Sequence, residues 1–547
     1  MVLFQFMELY SKYLIIYVTL YFIGRAFLII YSKIVRGDNF LNKNFFETRL
    51  SIFYPIIGIF FLGNLLNILN FIIPLKSMGI FLIIGIILTF NLFNIKIIET
   101  INIQNVMYYI LIPWILIISS YGIDFHYDGG YYHLGHQLWL RESNLVIGFV
   151  NISWPYGISS IYEYISSILW IDSSFYSLHL LNIVFISTIY IFFAHHLIFN
   201  MSTLFHFPVF ILLIFSILDN FGFGGGRNGY LYIEGVTAFD IPVAVTYYFF
   251  CLFMYIRIKE PKFSILEFIV TNSLFLLLIQ LKLSSAIIVI LYIFYLLKLY
   301  NLRLITISKG LLVLLPNIIL YIGWTLKNYL TTGCLVFPLS ISCVNNFSWY
   351  EKGSTQIYQE VTTDYSNSYK FSENFYLWIQ DFLNIEINKI VLYNFLLSLI
   401  IIHLSSKFIF IKKSNKNNIV YYFLILNILF LIFFGPLPRY AIGLIIFSIS
   451  LYGFGIKEIR FKLHRSVYFI VFFISISLVP RLSSYKNIST FPLIMQPTIP
   501  LLIDKNDLWT TPVPGEDQCW TVQYCTPEKD FLVNISDGFF KSAIIDK

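Results

Sequence analysis

The chain has 547 residues, of which 58% are hydrophobic and only 12% are charged, with a formal net charge of +7. Soluble domains carry about 25% charged residues, so this composition excludes a water-soluble globular protein and predicts an integral membrane protein in contact with the lipid bilayer. The sequence contains no nucleotide-binding fingerprint, which argues against a nucleic-acid partner and against ATP chemistry.

Apolar stretches divide the chain into about fourteen candidate transmembrane helices, since a helix that crosses a bilayer needs roughly 20 apolar residues. The run from Phe263 to Tyr300 would exceed roughly 50 Å as one helix at about 1.5 Å per residue. We therefore divide it into a hairpin that turns at residues 282–285. The predicted spans lie near 10–33, 51–73, 78–93, 106–122, 174–198, 207–220, 240–257, 263–280, 285–299, 310–326, 389–410, 419–435, 440–456 and 466–480.

Basic residues in the short loops predict the orientation, because cytoplasmic loops are enriched in Lys and Arg. Lys33, Arg36, Lys43 and Arg49 share the first loop, which we therefore expect in the cytoplasm. Both chain termini would then lie outside, and every later basic cluster falls on the cytoplasmic side. In a bacterium the protein would lie in the inner membrane with its large outer segments in the periplasm.

The sequence thus predicts an all-α polytopic membrane protein with two large extracytoplasmic loops. Its tail is rich in Pro, Asp and Thr, and we interpret it as a small extracytoplasmic cap. The sections are transmembrane helices 1–4 (1–122), the first large loop with amphipathic helices (123–173), transmembrane helices 5–10 (174–326), the second large loop (327–388), transmembrane helices 11–14 (389–480) and the C-terminal cap (481–547).

Four of the five cysteines fall in predicted outer segments, where disulfides persist. The nearest pairings are Cys334 with Cys343 and Cys519 with Cys525, although four cysteines allow three connectivities. A zinc site is the alternative, but the spacings fit no standard zinc motif. We therefore favour disulfides.

The densest polar cluster follows the fourth predicted span and reads DFHYDGGYYHLGHQLWLRE, residues 124–142. Asp128 precedes a Gly-Gly turn, and His133, Gln137 and Arg141 follow at the spacing of one helix face. A carboxylate at the membrane surface, before an amphipathic surface helix, suits removal of a proton from an acceptor hydroxyl, or binding of a divalent cation such as Mg²⁺ or Mn²⁺. The alternative is a solvated interfacial loop anchored by its aromatic residues.

A carboxylate in the first large outer loop, directly after a core span, resembles the GT-C superfamily of glycosyltransferases that use lipid-phosphate sugars. Several segments are also similar to a family of uncharacterised bacterial multi-pass proteins, although Gly129-Gly130 replaces a bulkier pair. The resemblance marks Asp128 and His133 as the candidate catalytic residues. The matching segments are Asp128, Tyr131-Tyr132-His133 and Trp139, then QLKLSS (280–285), GWTLKNYLTTGCLVFPL (323–339), GPLPRY (435–440) and PGEDQCWTVQYCTP (514–527).

Three basic residues on the predicted outer side could stabilise the phosphate of a polyprenyl-phosphate leaving group by charge-assisted hydrogen bonds. They are Lys282 in the hairpin turn, Lys327 at the end of the tenth span and Arg439 between two spans, directly after Pro438. Arg141 is a further candidate for substrate binding. The alternative for each is snorkelling, in which the side chain reaches headgroup phosphates from a helix end.

A glycine-rich stretch from Phe221 to Asp240 lacks the Lys-Ser/Thr of a phosphate-binding P-loop. We interpret it as an outer loop in which Glu234 or Asp240 could supply a second substrate-binding carboxylate. A plain flexible loop is the alternative.

The GT-C resemblance implies a glycosyltransferase that moves a sugar from a polyprenyl-phosphate donor to a glycan or lipid acceptor outside the membrane. An O-antigen polymerase or ligase is a second hypothesis; such a protein would depend on Arg439 and not on Asp128. A transporter or flippase is a third, and its charges would lie near the bilayer midplane on broken helices.

Overall fold

The structure is a computed structural model, and most of the chain is described in it. The described residues are 2–35, 44–92, 102–170, 175–220, 236–344, 346–350, 352–353, 355–357, 374–385, 389, 393, 396–397, 399–404, 407, 410–412, 425, 428, 441–459, 463–489, 498–504, 508–527, 533–536, 538 and 540–545. Two predicted site residues, Glu234 and Arg439, lie outside them.

The described residues are mostly helical, as the composition predicts. The α-helices are α1 (Val2–Ile34), α2 (Tyr54–Leu69), α3 (Met78–Leu92), α4 (Ile103–Val106), α5 (Ile112–Ile117), α6 (Leu134–Glu142), α7 (Ile161–Ile168), α8 (Tyr176–Ala194), α9 (His206–Asn220), α10 (Asp240–Lys259), α11 (Ile265–Leu281), α12 (Ile288–Asn301), α13 (Ile307–Thr332), α14 (Phe375–Asn384), α15 (Ile442–Phe454), α16 (Arg465–Ser477) and α17 (Leu482–Lys486).

The strands in the described part of the chain are short and form four small sheets. They are β1 (Asn44–Phe45), β2 (Thr48–Arg49), β3 (Val146–Ile147), β4 (Phe410–Lys412), β5 (Ile456–Ile459), β6 (Leu502–Asp504), β7 (Thr510–Pro512), β8 (Val533–Ser536) and β9 (Lys541–Ile545).

Among the described residues, six helical stretches are long and apolar enough to cross a membrane, and a seventh is formed if α16 and the following helix, bent by 83°, act as one span. The chain is therefore an all-α membrane protein. Twelve of the predicted spans lie on a described helix, five of them on shorter apolar helices. The predicted spans 389–410 and 419–435 lie largely outside the described residues. The six long stretches are Leu3–Ile34, Leu50–Leu69, Ile103–Ser120, Tyr176–Phe199, Asp240–Lys259 and Ile307–Thr332.

The hairpin predicted within residues 263–300 is present. Helix α11 ends at Leu281, a short turn covers Leu283–Ser285, and α12 runs back. Tyr292 returns to α11, where its hydroxyl donates to Asn272 Oδ1 at 2.7 Å and its ring stacks on Phe275 at 4.2 Å. Lys282 consequently occupies the end of the hairpin, as the sequence indicates.

Helices α1 and α2 pack closely through two glycines. A Cβ on Gly24 would overlap the carbonyl oxygen of Tyr54, and a Cβ on Gly58 would overlap that of Leu20. Small residues at such crossings bring helix backbones together, which is how helices gain packing energy in a bilayer.

The C-terminal cap packs onto the first large loop at one end of the helix bundle. Strand β9 pairs in parallel with β3 of that loop and antiparallel with β8. The Asn151 side chain donates to the Ala543 carbonyl at 2.9 Å, and the Gly148 amide donates to the Leu330 carbonyl, near the end of α13, at 3.0 Å. The first loop, the end of α13 and the cap therefore lie on the same side of the membrane.

Candidate functional site

The loop that carries Asp128 is attached to the start of α10. Two backbone hydrogen bonds of 3.0 Å join them, from His126 N–H to the Val236 carbonyl and from Val236 N–H to the Asp124 carbonyl. Asp128 then leads into a π-helical turn, Gly129–His133, which continues as α6. Its carboxylate is 28% exposed and lies 3.4 Å from His126 Nδ1, so it is accessible to a substrate at the surface.

The cap covers this loop at Gly130, while Gly129 lies against the segment before α10. A Cβ on Gly130 would lie 2.5 Å from the Trp520 ring, and a Cβ on Gly129 would lie 2.9 Å from Thr237 Oγ1. The Trp520 amide donates to the Gly130 carbonyl at 2.9 Å. Bulkier residues at 129 and 130 would not leave room for these contacts. Close packing therefore explains why both positions are glycine.

A second set of cap contacts involves Tyr127. Its hydroxyl donates to the Asp517 carboxylate, and the Gln518 side-chain amide donates to the Tyr127 carbonyl at 3.0 Å. Burial, followed by the Asp517 carboxylate, raises the pKa of Tyr127, so the phenol stays protonated and remains a donor. The cap is thus held on both sides of Asp128.

The sequence predicts a surface helix after Asp128, and this prediction is wrong: α6 is largely buried. His133 Nδ1 and Gln137 Nε2, the latter at 2.6 Å, both hydrogen-bond to the carboxylate of Glu163 on α7, and the Trp170 indole donates to Gln137 Oε1 at 2.7 Å. His133 and Glu163 are buried. The polar stripe faces α7 because these groups satisfy each other away from water.

The sequence patterns do not single out Glu163 as a site residue. It is the one carboxylate of an otherwise apolar and hydroxyl-bearing helix, IYEYISSI, and a lone buried carboxylate needs donors around it. The composition of this helix therefore indicates that Glu163 needs hydrogen-bond donors, but nothing in the sequence identifies His133 and Gln137 as those donors.

Arg141, predicted to bind substrate, instead ties α6 to the α7 region. Its guanidinium donates to the Ser167 carbonyl at 2.5 Å and lies over the Trp170 ring at 5.2 Å. Burial lowers its pKa. These contacts give Arg141 a structural role between α6 and α7, so we do not assign it a role in substrate binding.

Lys282 and Asp240 form an ion pair where α10 begins and α11 ends. The Lys282 ammonium also lies 5.8 Å from the Phe239 ring, and that ring is 5.5 Å from His133 and stacks on Tyr162 at 5.2 Å. Phe239 therefore connects the ion pair to the helix that follows Asp128. A small pocket beside the pair is lined by Asp240, Val243, Ala244, Tyr247, Lys282, Ser284 and Gly443.

Residues 9–446 match a protein family described as a domain of unknown function (DUF8201). The chain belongs to this family. The match includes Asp128, Glu163, Asp240 and Lys282, whereas the cap lies beyond its end. Neither a curated protein nor a solved structure matches the chain significantly.

Lys327 does not lie beside Lys282, the other predicted phosphate-binding lysine. Its side chain is 2% exposed and donates to Asn70 Oδ1 at 2.7 Å. The ammonium also lies 5.2 Å from the Phe71 ring and 5.5 Å from the Tyr164 ring. It lines a separate cavity, too small for a phosphate, with room for about one water molecule.

The four cysteines other than Cys251 form two disulfides, Cys334–Cys343 and Cys519–Cys525, which are the nearest pairings in the sequence. All four sulfurs are therefore used, and the zinc alternative for them is wrong. The second disulfide closes the short cap segment that carries Trp520, and so supports the contact with Gly130.

A divalent cation has little support from the described parts of the chain, where no three His, Cys, Asp or Glu side chains lie close enough together to hold a metal ion. Asp128 has His126 beside it, but two such groups are too few to define a Mg²⁺ or Mn²⁺ site. We therefore derive no chemical step through a metal.

Replacing Gly130 by alanine is expected to loosen the cap, because the added Cβ collides with the Trp520 ring. Overpacking of this kind costs about 1–3 kcal/mol, and backbone amides at 517–525 should exchange hydrogen faster in the variant. Gly85→Ala is the matched control, since nothing lies within 4 Å of a Cβ at that position. Equal exchange in the two variants would contradict the contact.

Proposed function

We propose that this protein is a membrane glycosyltransferase of GT-C-like architecture with about fourteen transmembrane helices. It moves a sugar from a polyprenyl-phosphate donor to a glycan or lipid acceptor during cell-surface glycan synthesis. The site faces the periplasmic side of a bacterial inner membrane. The observation that carries the proposal is an accessible carboxylate beneath a covering cap, with a lysine at a hairpin turn connected to the same region through Phe239.

Asp128 is the proposed base. As the acceptor hydroxyl oxygen attacks the anomeric carbon of the donor sugar, the carboxylate takes the hydroxyl proton. The bond between the anomeric carbon and the phosphate oxygen breaks, and polyprenyl phosphate leaves. The Asp128 side chain is 28% exposed, so an acceptor can reach its carboxylate. The cap excludes part of the bulk water.

Lys282 is the proposed partner of the leaving phosphate. The Lys282 side chain lies at the hairpin turn and is 27% exposed, so a phosphate at the membrane surface can reach its ammonium, which forms charge-assisted hydrogen bonds with phosphate oxygens. Asp240 holds the side chain in place and keeps the charge balanced before the donor binds. Arg439, which follows a predicted span, is proposed as a second phosphate ligand on sequence grounds.

His133 is assigned to positioning and not to proton transfer. Its ring is buried, and its Nδ1 is bonded to Glu163. Because His133 ends the turn that begins after Asp128, this bond fixes the loop on which the proposed base sits.

Substitution of Asp128 by asparagine in the native host tests the proposal. Mass spectrometry of surface glycans should find the same sugar missing in the deletion strain and in the Asp128→Asn strain. The rate of sugar transfer by the variant should fall about 100-fold or more. Asp504→Asn, an exposed carboxylate of the cap, is the matched control and should keep the wild-type glycan. Membrane insertion is verified for each variant.

Two other outcomes would reject the assignment. If deletion removes a sugar polymer but Asp128→Asn does not, a polymerase or ligase that depends on Arg439 explains the result. If the deletion strain keeps the wild-type sugar composition but its lipid-linked precursors remain on the cytoplasmic side, a flippase explains the result.

A further inference from the structure

A buried lysine and a buried histidine line the cavity between α6, α13 and the loop that follows α6. Lys327, on α13, is 2% exposed, and His136, on α6, is also 2% exposed. Both side chains face the cavity, which has room for about one water molecule. Its full lining is Asn70, His136, Trp139, Leu140, Asn144, Val146, Phe149, Tyr156, Ser159, Tyr164, Lys327 and Thr331.

The Lys327 ammonium lacks a counter-ion among the described residues. Its polar contact is the 2.7 Å bond to Asn70 Oδ1, and the other contacts are the faces of two aromatic rings. An ammonium has three donors, so donor capacity remains. Burial without an opposite charge disfavours the charged form of a lysine, and a bound anion would favour that form.

His136 supplies a neutral donor beside this cation. Burial lowers the pKa of His136 to about 4, against the opposing effect of Glu163, so the imidazole is uncharged at neutral pH. Its ring lies against Phe149 and Tyr156 and makes no hydrogen bond to any described residue. One ring N–H is therefore available to an anion without adding a second positive charge.

We propose that Lys327 and His136 bind one small inorganic anion of the size of chloride in this cavity. The size of the cavity excludes a phosphate or a sugar, and its lining contains no carboxylate that would repel an anion. The anion links α13 to α6 across the cavity that both helices line. This site is independent of the proposed transferase reaction.

Chloride binding by the purified full-length protein in detergent tests the proposal. Equilibrium dialysis with radioactive chloride, with gluconate keeping the ionic strength constant, should give saturable binding of about one chloride per chain. The thermal unfolding midpoint should rise with chloride and level off at saturation, because a ligand that binds only the folded state stabilises it.

Lys327→Met should weaken chloride binding by at least about tenfold, since it removes a charge-assisted hydrogen bond. Lys76→Met is the matched control, because Lys76 is an exposed lysine paired with Glu142, and it should bind chloride as the wild type does. If Lys327→Met does not fold, the wild-type experiment still decides. No saturable chloride binding, or equal binding in Lys327→Met, overturns the proposal.

Discussion

Replacing Glu163 by leucine is expected to destabilise the protein by about 3–5 kcal/mol, the cost of removing one partner from a buried ionisable pair. The change leaves His133 Nδ1 and Gln137 Nε2 without their acceptor in a site that water does not reach. The thermal unfolding midpoint of the purified protein in detergent measures the effect. Glu163→Gln, which keeps the shape and one acceptor oxygen, should lose less.

Glu142→Gln is the control for this prediction. Glu142 also pairs with a basic residue, Lys76, but its side chain is 30% exposed, and exposed pairs contribute about 0–1 kcal/mol. If Glu163→Leu lowers the midpoint no more than Glu142→Gln does, the buried network does not hold α6 on α7, and the positioning role of His133 is lost with it.

Replacing Lys282 by methionine is expected to reduce sugar transfer about 100-fold or more, the usual effect of removing a group that stabilises transition-state charge. Lys282→Arg keeps a positive charge at the turn and should retain more activity. The rate at which lipid-linked donor disappears in membranes of the complemented deletion strain is the measurement, with Lys76→Met as the control for loss of a lysine.

The pair with Asp240 requires a second variant, because Lys282→Met alone leaves the Asp240 carboxylate, 11% exposed, without its cation. The double variant Lys282→Met with Asp240→Asn removes both charges and should recover stability. It should remain inactive if Lys282 binds the phosphate. A double variant as active as the wild type would mean that the ion pair serves the fold alone.

Hydropathy predicts where helices lie in this chain but not what surrounds them. Tyr176–Phe199 and Ile307–Thr332 have similar mean hydropathies, 1.9 and 1.6, yet the most apolar window of the first is 100% buried and that of the second 22%. Lipid tails are as apolar as a protein interior, so the sequence cannot distinguish a central helix from one that faces lipid.

Local features of the site were also predictable. The hairpin turn at Lys282 follows from the length of the apolar run, and the two disulfides follow from the nearest cysteines. Asp128 at the start of a turn, before a helix, follows from the Gly-Gly pair and the periodicity after it.

The contacts that complete the site join residues far apart in the chain. Trp520 reaches Gly130 across about 390 residues, and Lys282 pairs with Asp240 through the packing of α10 on α11. Periodicity identified the polar face of α6 but not the element that it meets, so the stripe that was expected at the surface is buried against Glu163.

The central claim is tested most directly by liquid chromatography and mass spectrometry of lipid-linked sugars in native-host membranes that carry the wild type, a deletion or Asp128→Asn. A transferase that consumes a polyprenyl-phosphate sugar predicts that one polyprenyl monophosphate sugar accumulates equally in the deletion and in Asp128→Asn. Accumulation of a polyprenyl diphosphate oligosaccharide instead, or no change in either strain, would contradict the account.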